Sequence, residues 1–244
     1  MSGEKLRKIL EQAEEGDVFA QHKLGLLYKN GIGLPQNDAK AAEWYRRAAE
    51  RYQQAANEGN AEAEYWLGNL YLWGDGVPKN EAKAFELFWR AGAQGDLGAQ
   101  RALGRCYMEG KGVPKDEAKA FEWFEKVAEQ GDAEAQFNLG VRFAKGEDVP
   151  KDGMRAVEWY QKAALQGHAE AQFCLGVCYA EGTGVPANDV HAYAWLSLAA
   201  AKGYEKAKKR LAEVESVLTA SRRGKAQELA ATIFASICEA NSIS

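Results

Sequence analysis

Histidine and cysteine are the side chains of this protein that could bind a metal or act as a general base or nucleophile. The three histidines, His22, His168 and His191, lie far apart, and none has a companion at the spacing of a zinc ligand. Gly110-Lys111-Gly112 lacks the Lys-Ser or Lys-Thr pair that follows the glycines of a phosphate-binding loop. No serine stands in a nucleophile-elbow motif. The sequence therefore predicts no catalytic residue, no metal site and no small-molecule cofactor.

The four cysteines predict free thiols. Cys174 and Cys178 are four residues apart, so on a helix they stand one turn apart, too far for an unstrained disulfide. A disulfide-stabilised scaffold carries more cysteines than these two together with Cys106 and Cys238, and carries them in paired spacings. We therefore expect the protein to work in a reducing compartment.

Composition and charge argue against two classes of partner. The 244 residues are 46% hydrophobic and 27% charged, which is ordinary for a globular protein. The net charge of -4 is unlike the basic excess of a nucleic-acid binder. No apolar run approaches the length of a membrane span. We expect neither a nucleic-acid partner nor membrane insertion.

The N-terminus reads as an amphipathic helix, because Leu6, Ile9, Leu10 and Ala13 have helical spacing. Charged residues interrupt the segment, so it lacks the apolar core of a secretory leader. This predicts a cytoplasmic protein, or a periplasmic or secreted one if a leader has been removed.

A repeat dominates the rest of the chain. Leu-Gly pairs recur with steps of 43, 36, 36 and 36 residues between their glycines, and all five prolines keep the same steps. The glycines are Gly25, Gly68, Gly104, Gly140 and Gly176, and the prolines are Pro35, Pro78, Pro114, Pro150 and Pro186. A period of this length is typical of a solenoid, in which each unit buries its apolar face against its neighbours.

Each unit reads as two helices, helix A and helix B, joined by a glycine-rich turn that ends in proline. Asp132 is a candidate N-cap for a helix A. A glycine inside helix A lowers the stability of the helix by roughly 1 kcal/mol relative to alanine, and this loss is tolerated where another backbone comes close. We expect the recurring helix B alanines to supply the facing surface, namely Ala41, Ala84, Ala120, Ala156 and Ala192.

Two departures from the period carry structural predictions. The motif of residues 44–50 is repeated in residues 51–57, and seven residues are close to two helical turns. The insertion should therefore lengthen helix B of repeat one. Asp148 replaces the turn glycine found at Gly76, Gly112 and Gly184, so we expect the 146–152 turn to be the most mobile of its kind.

The unit A-x-A-Q-x-x-L-G-x-x-Y-x-x-G-x-G-V-P, followed by A-x-x-W and A-A-x-x-G, closely resembles the Sel-one-like repeat, a branch of the tetratricopeptide-like helical repeats. The best copies are residues 99–134, 135–170 and 171–206, and the resemblance covers about residues 16 to 206. It implies an all-α protein, a right-handed α-α superhelix of five helix pairs with a concave groove. Family members are mostly adaptor or scaffold proteins, often bacterial.

The resemblance divides the chain into a cap, five repeats and a second cap. We expect an N-terminal capping helix in residues 1–15 and capping helices with a frayed tail in residues 207–244. The five repeats are expected at about 16–58, 59–94, 95–130, 131–166 and 167–206.

The family's concave wall comes mainly from helix A, which implies a groove stripe across successive repeats. The stripe passes through His22, Leu26, Lys29, Tyr65, Asn69, Trp73, Arg101, Arg105, Glu109, Phe137, Val141 and Lys145. Arg101 and Arg105 lie one turn apart and could fork onto a carboxylate or phosphate. Beside Tyr65, Asn69 and Trp73 they would form a mixed aromatic and basic patch for an extended peptide or an acidic tail. The alternative is a solvated charged face that binds nothing.

Repeat two carries tryptophans where the other repeats have small or polar residues, at Trp66, Trp73 and Trp89. Exposed tryptophan at such positions favours a binding anchor. The alternative is that the lengthened helix B of repeat one buries them. The predicted partner-binding residues are Tyr65, Trp66, Asn69, Trp73, Arg101, Arg105 and Glu109.

These observations predict a non-enzymatic adaptor or scaffold that binds a partner protein or peptide in its groove. One alternative is an immunity protein that docks and neutralises a secreted toxin. Others are an enzyme with an unrecognised groove site, and a structural spacer or homo-oligomer.

Overall fold

The structure is a computed structural model that describes residues 3–147 and 149–243. This part of the chain forms thirteen α-helices and no strand, as the repeat predicts. Asp148, and with it part of the mobile-turn prediction, lies outside the described residues. The helices are α1 Gly3–Glu14, α2 Val18–Asn30, α3 Asp38–Asn57, α4 Ala61–Trp73, α5 Glu81–Ala93, α6 Leu97–Glu109, α7 Glu117–Glu129, α8 Ala133–Lys145, α9 Gly153–Leu165, α10 Ala169–Glu181, α11 Asp189–Ala201, α12 Glu205–Val217 and α13 Ala220–Ile243.

The chain forms two compact units, Met1–Trp123 and Phe124–Ser244, called unit 1 and unit 2 below. In unit 1, each helix from α1 to α6 packs on the next one along the chain. In unit 2, the helices from α8 to α12 pack in the same sequential way, and α13 packs mainly on α11. The last helix continues to Ile243, through most of the segment for which a frayed tail was expected.

Side-chain caps and left-handed glycines set the helix ends. Each helix A of the five repeats begins after a residue whose side chain accepts a backbone N–H of the first turn, which satisfies a donor that the helix leaves unpaired. These N-caps are Asp17, Asn60, Asp96, Asp132 and His168, so the Asp132 prediction is confirmed. Each helix A ends at a glycine with φ between 66° and 76°.

The glycine inside helix A allows helix B to come close. A Cβ at Gly140 would lie 3.2 Å from the carbonyl oxygen of Ala156, one of the alanines expected to face it, but the nearest group is a bulky side chain. A Cβ at Gly25 would lie 2.7 Å from the Tyr45 ring, and one at Gly68 would lie 2.7 Å from the Phe88 ring. Tyr160 and Leu196 take the same place against Gly140 and Gly176. The glycine therefore makes room for a bulky helix B side chain, four residues after the alanine that was expected to face it.

Helix α3 has 20 residues where α5 has 13, so the two-turn insertion does lengthen helix B of repeat one. Helix α2 packs its glycine on Tyr45, the eighth residue of α3. In the turn after α4, Gly76 packs on the backbone of Tyr45 and Arg46. The equivalent glycine in the turn after α6, Gly112, packs on Glu81, the first residue of α5. Repeat two therefore meets α3 seven residues farther along, an axial advance of about 10 Å.

A buried amide links successive helix pairs. The fourth residue of helix A is glutamine in four repeats, and its Nε2 donates to a carbonyl near the end of the preceding helix. These bonds run from Gln21 to Ala13, Gln100 to Gly92, Gln136 to Ala128 and Gln172 to Ala164, at 2.9 to 3.1 Å. Each one gives a second donor to a carbonyl that already accepts a backbone N–H of the following turn, and so ties the start of helix A to the end of the helix before it.

Repeat two replaces this glutamine by a buried carboxylate. Glu64 is fully buried and, when ionised, cannot donate to a carbonyl. Arg90 of α5 takes over that role, because its guanidinium donates to the Ala56 oxygen at 3.0 Å and forms an ion pair with Glu64. Gln94 also donates to the Glu64 carboxylate at 3.0 Å. One amide has thus been exchanged for a carboxylate and guanidinium pair.

This exchange makes Arg90 a stability determinant of unit 1. Arg90→Met should lower the free energy of unfolding by about 3 kcal/mol, because it leaves the buried Glu64 carboxylate without its cation. The double variant Glu64→Gln, Arg90→Met restores the amide link of the other repeats and should lie within about 1 kcal/mol of the parent. Urea titrations of the four members of this cycle test the point. A double variant as unstable as Arg90→Met alone would contradict it.

Candidate partner-binding site

Six of the seven predicted site residues line one recess between α4 and α6 in unit 1, which we call the α4/α6 recess. Its volume is about 280 Å³. It is lined by Tyr65, Asn69, Leu72, Trp73, Gly98, Arg101, Ala102, Arg105, Cys106, Glu109 and Lys111. Trp66 does not line it. These six residues belong to the groove stripe that the family resemblance implied.

Two substitutions in repeat three shape this recess. Gly98 stands where repeats two, four and five have glutamate, and a Cβ there would lie 2.9 Å from the Tyr65 ring. Arg101 stands where the same repeats have an aromatic residue. The first change lets the Tyr65 ring lie against the start of α6, and the second places a guanidinium beside it. Sequence reasoning missed Gly98, although its departure from a recurring glutamate was a readable signal.

The recess carries more positive than negative charge. Lys111 binds the Glu109 carboxylate at 2.6 Å, and this hydrogen bond holds the pKa of Glu109 below its usual range. The Arg105 guanidinium is 3.8 Å from the same carboxylate, and its side chain is 60% exposed. With Arg101 the recess therefore presents three cations and one carboxylate. An anionic group of a partner would find charge-assisted donors here.

The three tryptophans of repeat two lie in three different environments. Trp73 is 54% exposed, and Lys111 lies 5.1 Å from its ring centre. Trp89 is 48% exposed and meets Trp123 edge-on at 5.6 Å, outside the recess. Trp66 is half-buried, with its ring 5.0 Å from that of His22. Trp73 is thus an exposed aromatic surface beside basic side chains, whereas Trp66 is a packed one.

A second recess lies on the other side of α4, and we call it the α2/α4 recess. Its volume is about 310 Å³. It is lined by His22, Leu26, Lys29, Asn30, Tyr45, Trp66, Asn69, Leu70, Trp73 and Asp75. Lys29 and Asp75 form an ion pair at 2.7 Å, so the charges of this recess are matched. Asn69 and Trp73 line both recesses and therefore stand between them.

Aromatic rings surround His22 in this second recess. Its ring lies 5.5 Å from Tyr45, 6.0 Å from Tyr52 and 5.0 Å from Trp66, each with an edge-on geometry. Burial lowers the pKa of His22 below 6.5, and the Asp75 carboxylate partly opposes this shift. A neutral imidazole therefore suits the folded state, and His22 contributes a ring surface rather than a charge.

The stripe residues of unit 2 lie in a different setting. Phe137 is half-buried and stacks on His168 at 4.8 Å, with Tyr160 behind it at 6.0 Å. His168 accepts the Ala171 N–H through Nδ1 and lies 3.0 Å from Glu134 through Nε2. Phe137 is therefore covered by a side chain that also caps α10. Val141 is half-buried and Lys145 is exposed.

The thiols are poorly suited to nucleophilic chemistry. Cys106, Cys174, Cys178 and Cys238 are free. Burial raises the pKa of Cys106, Cys174 and Cys178 to about 11, so these thiols are protonated at neutral pH. Within residues 3–147 and 149–243, no group of three or more His, Cys, Asp and Glu could hold a metal ion. No helix in the same part of the chain is both long and apolar enough to cross a membrane.

The repeated helix pairs, with a recess lined by side chains of successive A helices, define an all-α solenoid. The Sel1 repeat profile matches residues 18–51, 61–96, 98–132, 133–168 and 169–204, which together exceed half of the chain. The chain belongs to the Sel1 repeat family, and the resemblance drawn from its sequence is confirmed. Proteins with this repeat are generally protein-interaction modules, typically non-enzymatic scaffolds. No curated protein matches the chain.

Solved structures agree with this assignment. The protective antigen c5321 of uropathogenic Escherichia coli, which displays an SLR fold, is 33% identical with a TM-score of 0.66. The match covers 97% of this chain but only 50% of that protein, so this chain spans half of its length. A Sel1 repeat protein from Oxalobacter formigenes is 31% identical with a TM-score of 0.63, over 84% of this chain and 68% of that one.

A third solved structure is similar in fold alone. The immunity protein Pa5087 of Pseudomonas aeruginosa is 21% identical with a TM-score of 0.50. The match covers 84% of this chain and 74% of that protein.

The lowered pKa of His22 predicts a pH dependence of stability. A folded pKa below the unfolded value means that protonation favours unfolding, so stability is lost as pH falls through and below about 6.5. His22→Phe, which copies Phe137 and Phe173 at the same repeat position, should lose less stability than the parent between about pH 7.5 and 5.5. Urea unfolding at several pH values measures this. Identical pH profiles for the parent and His22→Phe would contradict it.

Proposed function

We propose that the protein is a non-enzymatic adaptor that holds a segment of a partner protein on the helix A face of unit 1. The observation that supports it most is the convergence of Trp73, Arg101 and Arg105 on one solvent-open recess. Tryptophan and arginine are the residues that most often carry binding energy at protein interfaces.

The chemistry of the recess favours a protein segment with a carboxylate. A guanidinium binds a carboxylate through paired N–H donors, and such charge-assisted bonds contribute about 1.5–3 kcal/mol each. The indole of Trp73 offers apolar area beside them. A volume of about 280 Å³ falls just below the range of small-molecule pockets, about 300–1,000 Å³, so the recess fits a side chain better than a whole metabolite. We place this activity in the cytoplasm or another reducing compartment, since Cys106, Cys174, Cys178 and Cys238 are free thiols.

Affinity capture with matched variants tests this proposal. Trp73→Ala with Arg105→Ala removes the aromatic and one cation of the recess. Trp89→Ala with Arg46→Ala is the control, because it removes the same residue types from exposed positions of unit 1 that line neither recess. A partner retained from an extract of the source cells by the parent and the control, but reduced at least about tenfold by the site variant, is the expected result.

The alternatives give different results in the same experiment. Equal retention by both variants would move the binding surface away from this recess and contradict the proposal. Proteolysis of the retained partner then separates a segment-binding adaptor from an antagonist of a folded toxin. A short fragment that rebinds supports the adaptor, whereas binding that requires the intact folded partner supports the antagonist.

A further inference from the structure

We propose that the two recesses beside α4 form one bipartite site, which reads an apolar side chain and an acidic side chain of the same extended segment. The apolar side chain enters the α2/α4 recess, and the carboxylate enters the α4/α6 recess. This rests on the proposed function and adds to it the sequence chemistry of the partner.

The α2/α4 recess has the chemistry of an apolar subsite. Leu26 is 44% exposed there, and Trp66 and Trp73 contribute the other apolar surface. The two charged residues of this recess, Lys29 and Asp75, are bound to each other at 2.7 Å. An incoming ion would therefore have to compete with an existing pair, whereas an apolar side chain would cover exposed apolar area.

The α4/α6 recess has the opposite character. Its one carboxylate, Glu109, is bound by Lys111 at 2.6 Å, and Arg105 is held only at 3.8 Å from the same group. Glu109 therefore does not match the charge of Arg105. The α4/α6 recess thus has excess positive charge, whereas the charges of the α2/α4 recess are matched. This difference assigns the acidic side chain to the α4/α6 recess.

Trp73 joins the two recesses because it lines both of them. The two recesses are equivalent in the repeat, since His22, Leu26 and Asn30 of α2 stand one repeat before Tyr65, Asn69 and Trp73 of α4. Their side chains give them different chemistry. The equivalent positions of Trp66 and Trp73 in repeats three to five hold no tryptophan, so the arrangement belongs to repeat two.

The spacing of the helices limits the spacing of the ligand side chains. The recesses flank one helix, and packed helices are about 8–10 Å apart. An extended polyproline II segment rises about 3.1 Å per residue with three residues per turn, so residues i and i+3 lie on one face about 9 Å apart. The partner segment is therefore expected to carry its apolar and acidic residues three positions apart.

A series of synthetic peptides tests this inference with the full chain. Each amidated and acetylated 12-residue peptide carries one Leu and one Glu in a Gly/Ser background, one to six positions apart and in both orders. Binding is measured by fluorescence anisotropy of a labelled N-terminus. One order with a separation of three should bind about tenfold more tightly than separations of one or six.

Two variants test the two subsites separately. Arg105→Glu should remove the preference for Glu over Ser in the peptide while the Leu is still required. Leu26→Ser should abolish the advantage of Leu over Ser in the peptide while the Glu is still required. The double variant Trp89→Ala, Arg46→Ala serves as the control and should bind as the parent does.

Several results would overturn the bipartite site. The first is an affinity that does not depend on the separation of Leu and Glu. The second is loss of both the Leu and the Glu preference in each single variant. The third is no binding by any peptide at millimolar concentration. If a captured partner is still lost from Trp73→Ala, Arg105→Ala, the proposed adaptor function stands without the bipartite site. If no partner depends on that variant either, both proposals fail.

Discussion

The close contact between a mid-helix glycine on helix A and a bulky side chain on helix B is the constraint on which the repeats depend. A Cβ at Gly25, Gly68, Gly140 or Gly176 would lie 2.7 Å from the facing side chain. Such a distance leaves no room for any residue larger than glycine, so it fixes the register of the two helices. The cost of a helical glycine, roughly 1 kcal/mol, is offset by the packing it permits.

A second contact connects one helix pair to the next. The buried amide of Gln100 or Gln172 ties the start of one helix A to the end of the helix before it. Repeat two keeps the connection but changes the chemistry, with Glu64 and Arg90 in place of the amide. Together the two contacts place successive A helices side by side. That placement turns single residues at one repeat position into a continuous surface.

Substitutions at single repeat positions alter that surface. Trp66 packs on His22, while Trp73 remains exposed between two recesses. One recess has matched charges and the other has excess positive charge. The candidate site therefore follows from a departure from the repeat rather than from the repeat itself.

The sequence predicted the helical repeat because glycine and proline report directly on backbone requirements, and their period is visible without a structure. It also predicted the lengthened α3. It did not predict that bulky residues such as Tyr45 and Phe88 would face the glycines, since a period does not show which side chains meet. Five residues of the predicted stripe line the α2/α4 recess, but the Lys29–Asp75 pair that matches its charges was not predicted. The sequence also left the exposure of Trp73 open.

The most direct test of the account follows the indole N–H signals of the seven tryptophans by NMR while a Leu and Glu peptide of separation three is added. Trp73 lines both recesses, whereas Trp159 and Trp195 are buried in unit 2. The account predicts that the Trp73 signal, and with it that of Trp66, shifts with the peptide concentration while those of Trp159 and Trp195 do not. A shift confined to the tryptophans of unit 2, or an unchanged Trp73 signal under saturating peptide, would contradict it.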